Sequence, residues 1–207
     1  LPELRSFREG LFYVQDSSAT IPGRMLAPRE GERVLDLCSA PGGKATHIAE
    51  LMGNRGVVVA CDIDEGKTPL LRENVERLGT RIVRPLVADG TRIDAVFRPV
   101  FDRVLLDAPC SNTGVLRRRI EARWRLRERD LKALQRLQLA LLQSACEVLK
   151  PRGVLVYSTC SIEPEENREV IEEFLREREG FRLVEEKTYL PRVGGGDGGY
   201  AAKLVRR

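Results

Sequence analysis

Two short runs place a thiol directly after a Val/Leu-rich stretch: Asp107-Ala108-Pro109-Cys110-Ser111 and Ser158-Thr159-Cys160-Ser161. Each apolar stretch reads as a buried strand, so each cysteine stands at a strand's carboxyl end. A thiolate is a strong nucleophile, and its ordinary catalytic use is to form a covalent adduct. If the two strands are neighbours, two thiols and the Asp107 carboxylate face one pocket. The plainer reading is packing, since cysteine is among the most buried residue types and behaves as a small hydrophobe. Cys38, Cys61 and Cys146 fit that reading; Cys110 and Cys160, at strand mouths, fit it poorly. The five cysteines form no CxxC pair and His47 is the only histidine, so neither a zinc site nor a metal of any kind is expected. Disulfides are not expected either, because the cytosol keeps thiols reduced.

A second constellation precedes these. Asp36-Leu37-Cys38-Ser39-Ala40-Pro41-Gly42-Gly43-Lys44 follows the first apolar run and opens a helix. Glycines there let backbone approach a ligand, and ligands of open parallel sheets collect at strand carboxyl ends. The run is neither GxGxxG nor GxxxxGK[ST], which argues against a pyrophosphate or a triphosphate and for a ligand without phosphates. Asp62 closes the second strand, where a carboxylate can accept from both ribose hydroxyls, and Asp89 follows the third, placed to meet an adenine edge. Taken singly, a Gly-Gly turn is often a tight connection and an acidic strand end a helix cap. The order of turn, Asp62, Asp89 and Asp107 at four successive strand ends favours an adenosyl-ligand pocket.

The elements that would position these residues follow from periodicity. Strands are expected at residues 33–37, 57–61, 82–87, 101–106 and 154–158, with helices at 44–51, 69–78, 129–149 and 165–178. In the long helix, Leu131, Leu134, Leu137, Leu141, Ala145, Val148 and Leu149 mark one buried face. Extended segments at 181–184 and 200–205, separated by the glycine-rich Gly194-Gly195-Gly196-Asp197-Gly198-Gly199, suggest an edge hairpin. The fold class is therefore α/β: a doubly wound, Rossmann-like sheet, mostly parallel, with an antiparallel hairpin strand at the carboxyl-terminal end. One domain over residues 1–207 is expected, with residues 1–30 a leading segment that pattern alone does not assign.

Composition narrows the class. The chain has 207 residues, 42% of them hydrophobic, enough for one sizeable core. No run approaches the ~18 apolar residues of a membrane span, and the start, LPELRSFREG, lacks a signal peptide's apolar stretch; a cytoplasmic, monomeric protein is expected. The net charge of +4 is modest, but Arg117, Arg118, Arg119, Arg123, Arg125, Arg127 and Arg129 crowd one stretch. That cluster suits phosphates, and suits equally a solvated helix face.

The runs DLCSAPGGKATHIAE, DAPCSNTGVLRRR and YSTCSIEPEEN, flanked by GLFYVQDSSA and GGGDGGYAAKL, resemble the bacterial RsmB-type and eukaryotic Nop/Sun-type RNA cytosine carbon-5 methyltransferases over essentially the whole chain. The resemblance implies a seven-stranded class I methyltransferase sheet in which Cys38, Ser39, Ala40, Pro41, Gly42, Gly43 and Lys44, with Asp62, Asp89 and Asp107, hold S-adenosylmethionine. It implies that Cys160 attacks the base, that Cys110 assists release, and that the partner is RNA, ribosomal RNA above all. Bacterial members often carry an amino-terminal helical RNA-binding domain, whereas this chain enters almost directly at the catalytic part. Ile120-Glu121 stands where the family often has Pro-Asp.

The chemistry is consistent with that resemblance. Carbon 5 of cytosine is a poor nucleophile until a group adds at carbon 6, and a thiolate is a suitable adduct former. With an ordinary cysteine pKa of about 8.5, the site must lower that value or deprotonate the thiol on substrate binding. Asp107 is expected to hydrogen-bond the base at its N3 edge, Lys44 to orient Asp107, and Arg117, Arg118 and Arg119 to hold phosphates beside an unstacked cytosine. Two other classes remain open. An amino methyltransferase could use the Asp107-Ala108-Pro109 loop, although Cys160 would then be unexplained. A noncatalytic RNA-binding assembly factor would have no need of the two thiols.

Overall fold

The computed structural model describes residues 1–207. A short helix α1 (Arg5–Arg8) and α2 (Ile21–Leu26) lead into alternating strands and helices: β1 (Arg33–Leu37), α3 (Gly43–Leu51), β2 (Val57–Asp62), α4 (Thr68–Arg77), β3 (Val83–Val87), α5 (Ile93–Val96) and β4 (Phe101–Asp107). There follow α6 (Ala122–Arg125), α7 (Glu128–Glu147), β5 (Leu149–Thr159), α8 (Arg168–Glu177), β6 (Phe181–Tyr189) and β7 (Gly199–Arg206). All seven strands join one sheet in the order β3-β2-β1-β4-β5-β7-β6, with β1 to β5 parallel and β7 antiparallel to both its neighbours. The strand order reverses between β1 and β4, so the crevice for a ligand opens at their carboxyl ends.

Both faces of the sheet are covered, which is why the central strands read as unbroken apolar runs rather than alternating ones. Leu35, Leu37, Val104, Leu106 and Tyr157 pack toward α7 and α8 on one side. Val34, Val58, Ala60, Leu105 and Val156 pack toward α2 and α3 on the other. β4 and β5 run in register from Arg103 opposite Val154 to Asp107 opposite Ser158. That register brings the two thiol-bearing loops out of the sheet side by side.

The expected elements appear with small shifts. β5 is longer than 154–158 because Leu149, expected as the last residue of the long helix, already pairs with Phe101, and Lys150-Pro151-Arg152-Gly153 forms an irregularity inside the strand with Arg152 at a positive φ. β6 runs on to Tyr189 rather than ending at 184. On α7, Leu137 is exposed and Gln138 is fully buried. Leu141 and Ala145 are buried as expected, and Gln138 joins them on that face, its amide donating to Pro109 O (2.8 Å) and to the Glu166 carboxylate (3.0 Å). A buried amide is tolerated in the core when it has such partners.

Leu105, fully buried between β1 and β5, has little room to relax around a void. Leu105→Ala should cost about 2–5 kcal/mol of unfolding free energy, read from the midpoint of urea denaturation.

Candidate active site

The turn after β1 is built by carboxylates. Asp36, fully buried at the strand's end, accepts from the Ser39 hydroxyl at 2.6 Å through one oxygen, while its other oxygen has no partner. Burial, opposed by the Ser39 hydrogen bond, pushes its carboxyl up to about 7. Asp62 accepts from the backbone N–H of Ala40 and of Asp64, each at 3.0 Å. Cys38 takes a positive φ, and at Gly43 a Cβ would stand 2.8 Å from the Tyr13 ring, so the tight path requires glycine there.

This turn forms one wall of a cavity of about 410 Å3, whose lining includes Tyr13, Asp36, Cys38, Ser39, Lys44 and Asp107. Of the cations that line it, Lys44 Nζ donates to Asp107 Oδ2 at 2.6 Å and Arg118 is held by Asp16 at 2.6 Å, while Arg119 has only Glu121 at 3.7 Å. Each Asp62 oxygen retains a lone pair for a hydroxyl. Asp89 is exposed and caps a turn by accepting from Thr91 N–H at 2.9 Å and Thr91 Oγ1 at 2.7 Å, and these bonds hold its carboxyl below the ordinary range.

The two thiol loops are bonded to one another. Gly114 N–H donates to Cys160 O at 2.9 Å, and Ala108 N–H to Ser158 O at 2.8 Å. Behind them, Glu166 is fully buried without a cation. Its carboxylate accepts from Ser111 N–H at 2.8 Å, from the Ser111 hydroxyl and from Gln138, and its carbonyl accepts from Tyr157 at 2.6 Å. Ser161 links the same pair, 3.2 Å from the Ser111 hydroxyl and 3.1 Å from that of Thr113. Cys110 and Cys160, each preceding one of these serines, are half-buried.

The electrostatics of the thiols follow from this enclosure. Burial raises Cys160, the Asp107 carboxylate raises it further, and Lys44 opposes both. Burial is also the main cause of the rise at Cys110, followed by the neighbouring Cys160. Burial works against the Lys44 charge, but Asp107 and Cys160 more than reverse it, so Lys44 stays protonated. In the free protein both thiols therefore hold their protons at neutral pH. Lys44 lies where it can stabilise a thiolate at Cys160. Asp107 accepts from Ser158 Oγ at 2.8 Å as well as from Lys44, which fixes its orientation.

The structure brings together the residues expected from the sequence around the turn, Asp107, Cys110 and Cys160, and confirms the Lys44–Asp107 pair. Arg117 and Arg118, expected to face phosphates, are instead tied to carboxylates: Arg117 to Asp197 at 2.5 Å, and Arg118 to Asp197 at 2.8 Å and Asp16 at 2.6 Å. Burial pushes the Asp16 carboxyl up, but hydrogen bonds from Asp197 N–H and Ser18 and the Arg118 charge hold it below the ordinary range. Arg119 is more exposed, with Glu121 at 3.7 Å. Sequence reasoning missed Glu166, Gln138, Asp16 and Asp197. Three of them lie inside the runs already quoted, and Gln138 had no signal beyond being a polar residue on an apolar helix.

The family described as 16S rRNA methyltransferase RsmB/F matches residues 23–204. Among curated relatives, ribosomal RNA small subunit methyltransferase B of Salmonella paratyphi B is 44% identical over 214 residues, covering 99% of this chain and 49% of that protein. The chain thus spans about half the length of the curated relatives it matches. Of solved structures, NSun6 from Pyrococcus horikoshii with SFG is 33% identical with a TM-score of 0.86, matching all of this chain and 56% of that one. A methyltransferase homolog protein from the same organism is 34% identical with a TM-score of 0.87, matching all of this chain and 72% of that one.

Since the Lys44 charge opposes the rise at Cys160, Lys44→Met should move the pH midpoint of Cys160 alkylation by iodoacetamide upward. Mass spectrometry of the Cys160 peptide reads this without substrate, and an unmoved midpoint would remove Lys44 from the account.

Proposed function

The chain belongs to the 16S rRNA methyltransferase RsmB/F family, and from that premise we propose that it is the catalytic unit of an RNA methyltransferase. The proposed reaction moves a methyl group from S-adenosylmethionine to carbon 5 of a cytosine, in ribosomal RNA, with Cys160 as nucleophile. The observation that carries the reading is the pair of half-buried thiols, bonded loop to loop beside the Lys44–Asp107 pair and the carboxylate-lined turn. A methylation at an exocyclic nitrogen needs no thiol adduct and would leave this arrangement unused.

The residues that would hold the cofactor are those of the turn, 38–44, with Asp62 for the ribose hydroxyls and Asp89 toward the adenine. When bound, that cofactor supplies an electrophilic methyl group. The chain's own groups do the rest. Cys160 loses its proton as substrate enters, favoured by Lys44, and its sulfur bonds to carbon 6 of the ring. The electron pair displaced from the 5,6 double bond moves through carbon 4 to N3, which takes the proton given up by Cys160, relayed by the Asp107 carboxylate, and then donates a hydrogen bond to Asp107. Carbon 5 is thereby made nucleophilic.

After methylation the carbon 5 proton passes to a base, water at the open mouth of the site, its bonding pair reforms the 5,6 double bond, Cys160 leaves carbon 6 as the thiolate, and N3 returns its proton through Asp107 to that sulfur. Cys110, held by Ser111 and Glu166 against the Cys160 loop, acts at this release stage. A target base must be out of its stack to meet a sulfur at carbon 6, so the substrate is single-stranded or locally opened RNA. Because burial raises Cys160, turnover should climb with pH through the neutral range.

Two substitutions test the assignment. With labelled cofactor and unmodified ribosomal RNA, Cys160→Ser should abolish incorporation, a loss of at least about a thousandfold by comparison with nucleophile deletions elsewhere. Cys110→Ser should retain attack and accumulate a covalent protein–RNA species on a denaturing gel. Normal product release by the Cys110 variant, or label mapped to an amino nitrogen instead of 5-methylcytosine, would reject the reading.

A further inference from the structure

Between the leading segment and the end of β6 lies a groove of about 790 Å3 that the reaction above does not use. Ser17, Ser18 and Ile21 form one bank, Lys187, Tyr189 and Arg192 the other, with Gly196 and Asp197 between. The volume is within the ~300–1,000 Å3 of ligand pockets. Its inner end is set by Tyr189. In the sheet Tyr189 pairs with Gly199, and the antiparallel register that sets Thr159 against Tyr200 carries Gly199 to the level of Cys160.

The lack of a side chain at Gly199 is what admits the phenol. A Cβ there would come within 2.9 Å of Tyr189 Cε2 and 3.0 Å of its hydroxyl, and 2.6 Å of Thr159 O. The ring therefore lies across the strand backbone, half-buried, reaching toward the end of β5. Burial pushes its hydroxyl above the ordinary tyrosine value, and the groups it senses next are Cys160, Lys44, Asp107 and Cys110.

The chemistry of the banks identifies the occupant. The acidic groups at this end, Asp16 and Asp197, are already taken by Arg117 and Arg118, which leaves the exposed Lys187 and Arg192 as uncommitted cations. Hydroxyls at Ser17 and Thr188, two free cations and one aromatic ring opening onto a nucleophile are the parts of a single-strand nucleic-acid track, in which cations follow the phosphates and the ring stacks a base. We propose that this groove is a second nucleotide subsite, which takes the residue next to the target cytosine in single-stranded RNA and stacks its base on Tyr189. The inference rests on the proposed reading of Cys160 as the nucleophile toward RNA.

Fluorescence anisotropy with a labelled single-stranded oligoribonucleotide containing one cytosine tests it, against the same oligomer with abasic residues on both sides of that cytosine. The wild-type protein should bind the abasic oligomer roughly tenfold more weakly. Tyr189→Ala should bind both alike, at the weaker level, while Tyr189→Phe keeps the discrimination because stacking needs no hydroxyl. A Tyr189→Ala protein that still discriminates, or a phenylalanine variant as impaired as alanine, overturns the proposal. Should the alanine variant fail to melt cooperatively, Lys187→Ala/Arg192→Ala decides instead: losing two phosphate contacts should flatten the logarithmic salt dependence of binding by about 1.4, and an unchanged slope overturns the groove. Methylation of the intact oligomer by the wild type is scored in parallel. Coupling without methylation leaves the subsite standing and sinks the reaction; methylation without coupling does the reverse.

Discussion

Glu166 is a carboxylate in the protein interior with no cation to neutralise it, and such a group persists only if its lone pairs are fully engaged. Ser111, through both its backbone and its hydroxyl, and Gln138 meet that need, drawn from the loop after β4 and from α7. The same requirement therefore fixes three elements at once. It holds the Cys110 loop against the Cys160 loop, and it sets the Gln138 amide of α7 facing inward. The relative position of the two sulfurs, on which the proposed division of labour depends, is set by the desolvation cost of one buried acid.

The front of the site is organised by a different balance. Lys44 is surrounded by Asp107, Asp36 and Cys160, all of which favour its charge, and burial alone opposes it. Asp107 is in turn oriented by Lys44 and Ser158, so it offers a fixed acceptor. Enclosure holds both thiols protonated until something changes in the pocket, which protects them from adventitious oxidation in the free protein. Entry of a substrate that brings the sulfur a reaction partner shifts that balance locally, with Lys44 already in place to support the thiolate.

The arginines after the Cys110 loop illustrate how tertiary context redirects a sequence signal. Arg117 and Arg118 join Asp16, from the leading segment, and Asp197, from the glycine-rich segment, in a network that binds three distant stretches of chain over the mouth of the cavity. Asp197 is nearly inaccessible, so the bonds to it are worth more than an exposed ion pair. These cations serve the shape of the site, whereas Lys187 and Arg192 on the neighbouring groove stay exposed without a carboxylate partner.

The sequence by itself determined the fold class, the order of strands and helices, the turn from Cys38 to Lys44, and both thiols. Those features are local: apolar runs of strand length, glycines where backbone must bend, and cysteines at strand ends are written in consecutive residues. The Lys44–Asp107 pair was not decided there, because Lys44 lies in the first turn of α3 and only the packing of that helix on the sheet brings it to the end of β4. Tertiary structure alone decided that Glu166 joins the thiol loops, that Gln138 rather than Leu137 is buried, that Arg117 and Arg118 face carboxylates, and that Tyr189 lies against Gly199 at the level of Cys160. Each of these depends on partners from distant parts of the chain. Burial and pairing are properties of the packed molecule, and no periodicity within one segment encodes which distant group will arrive to satisfy it.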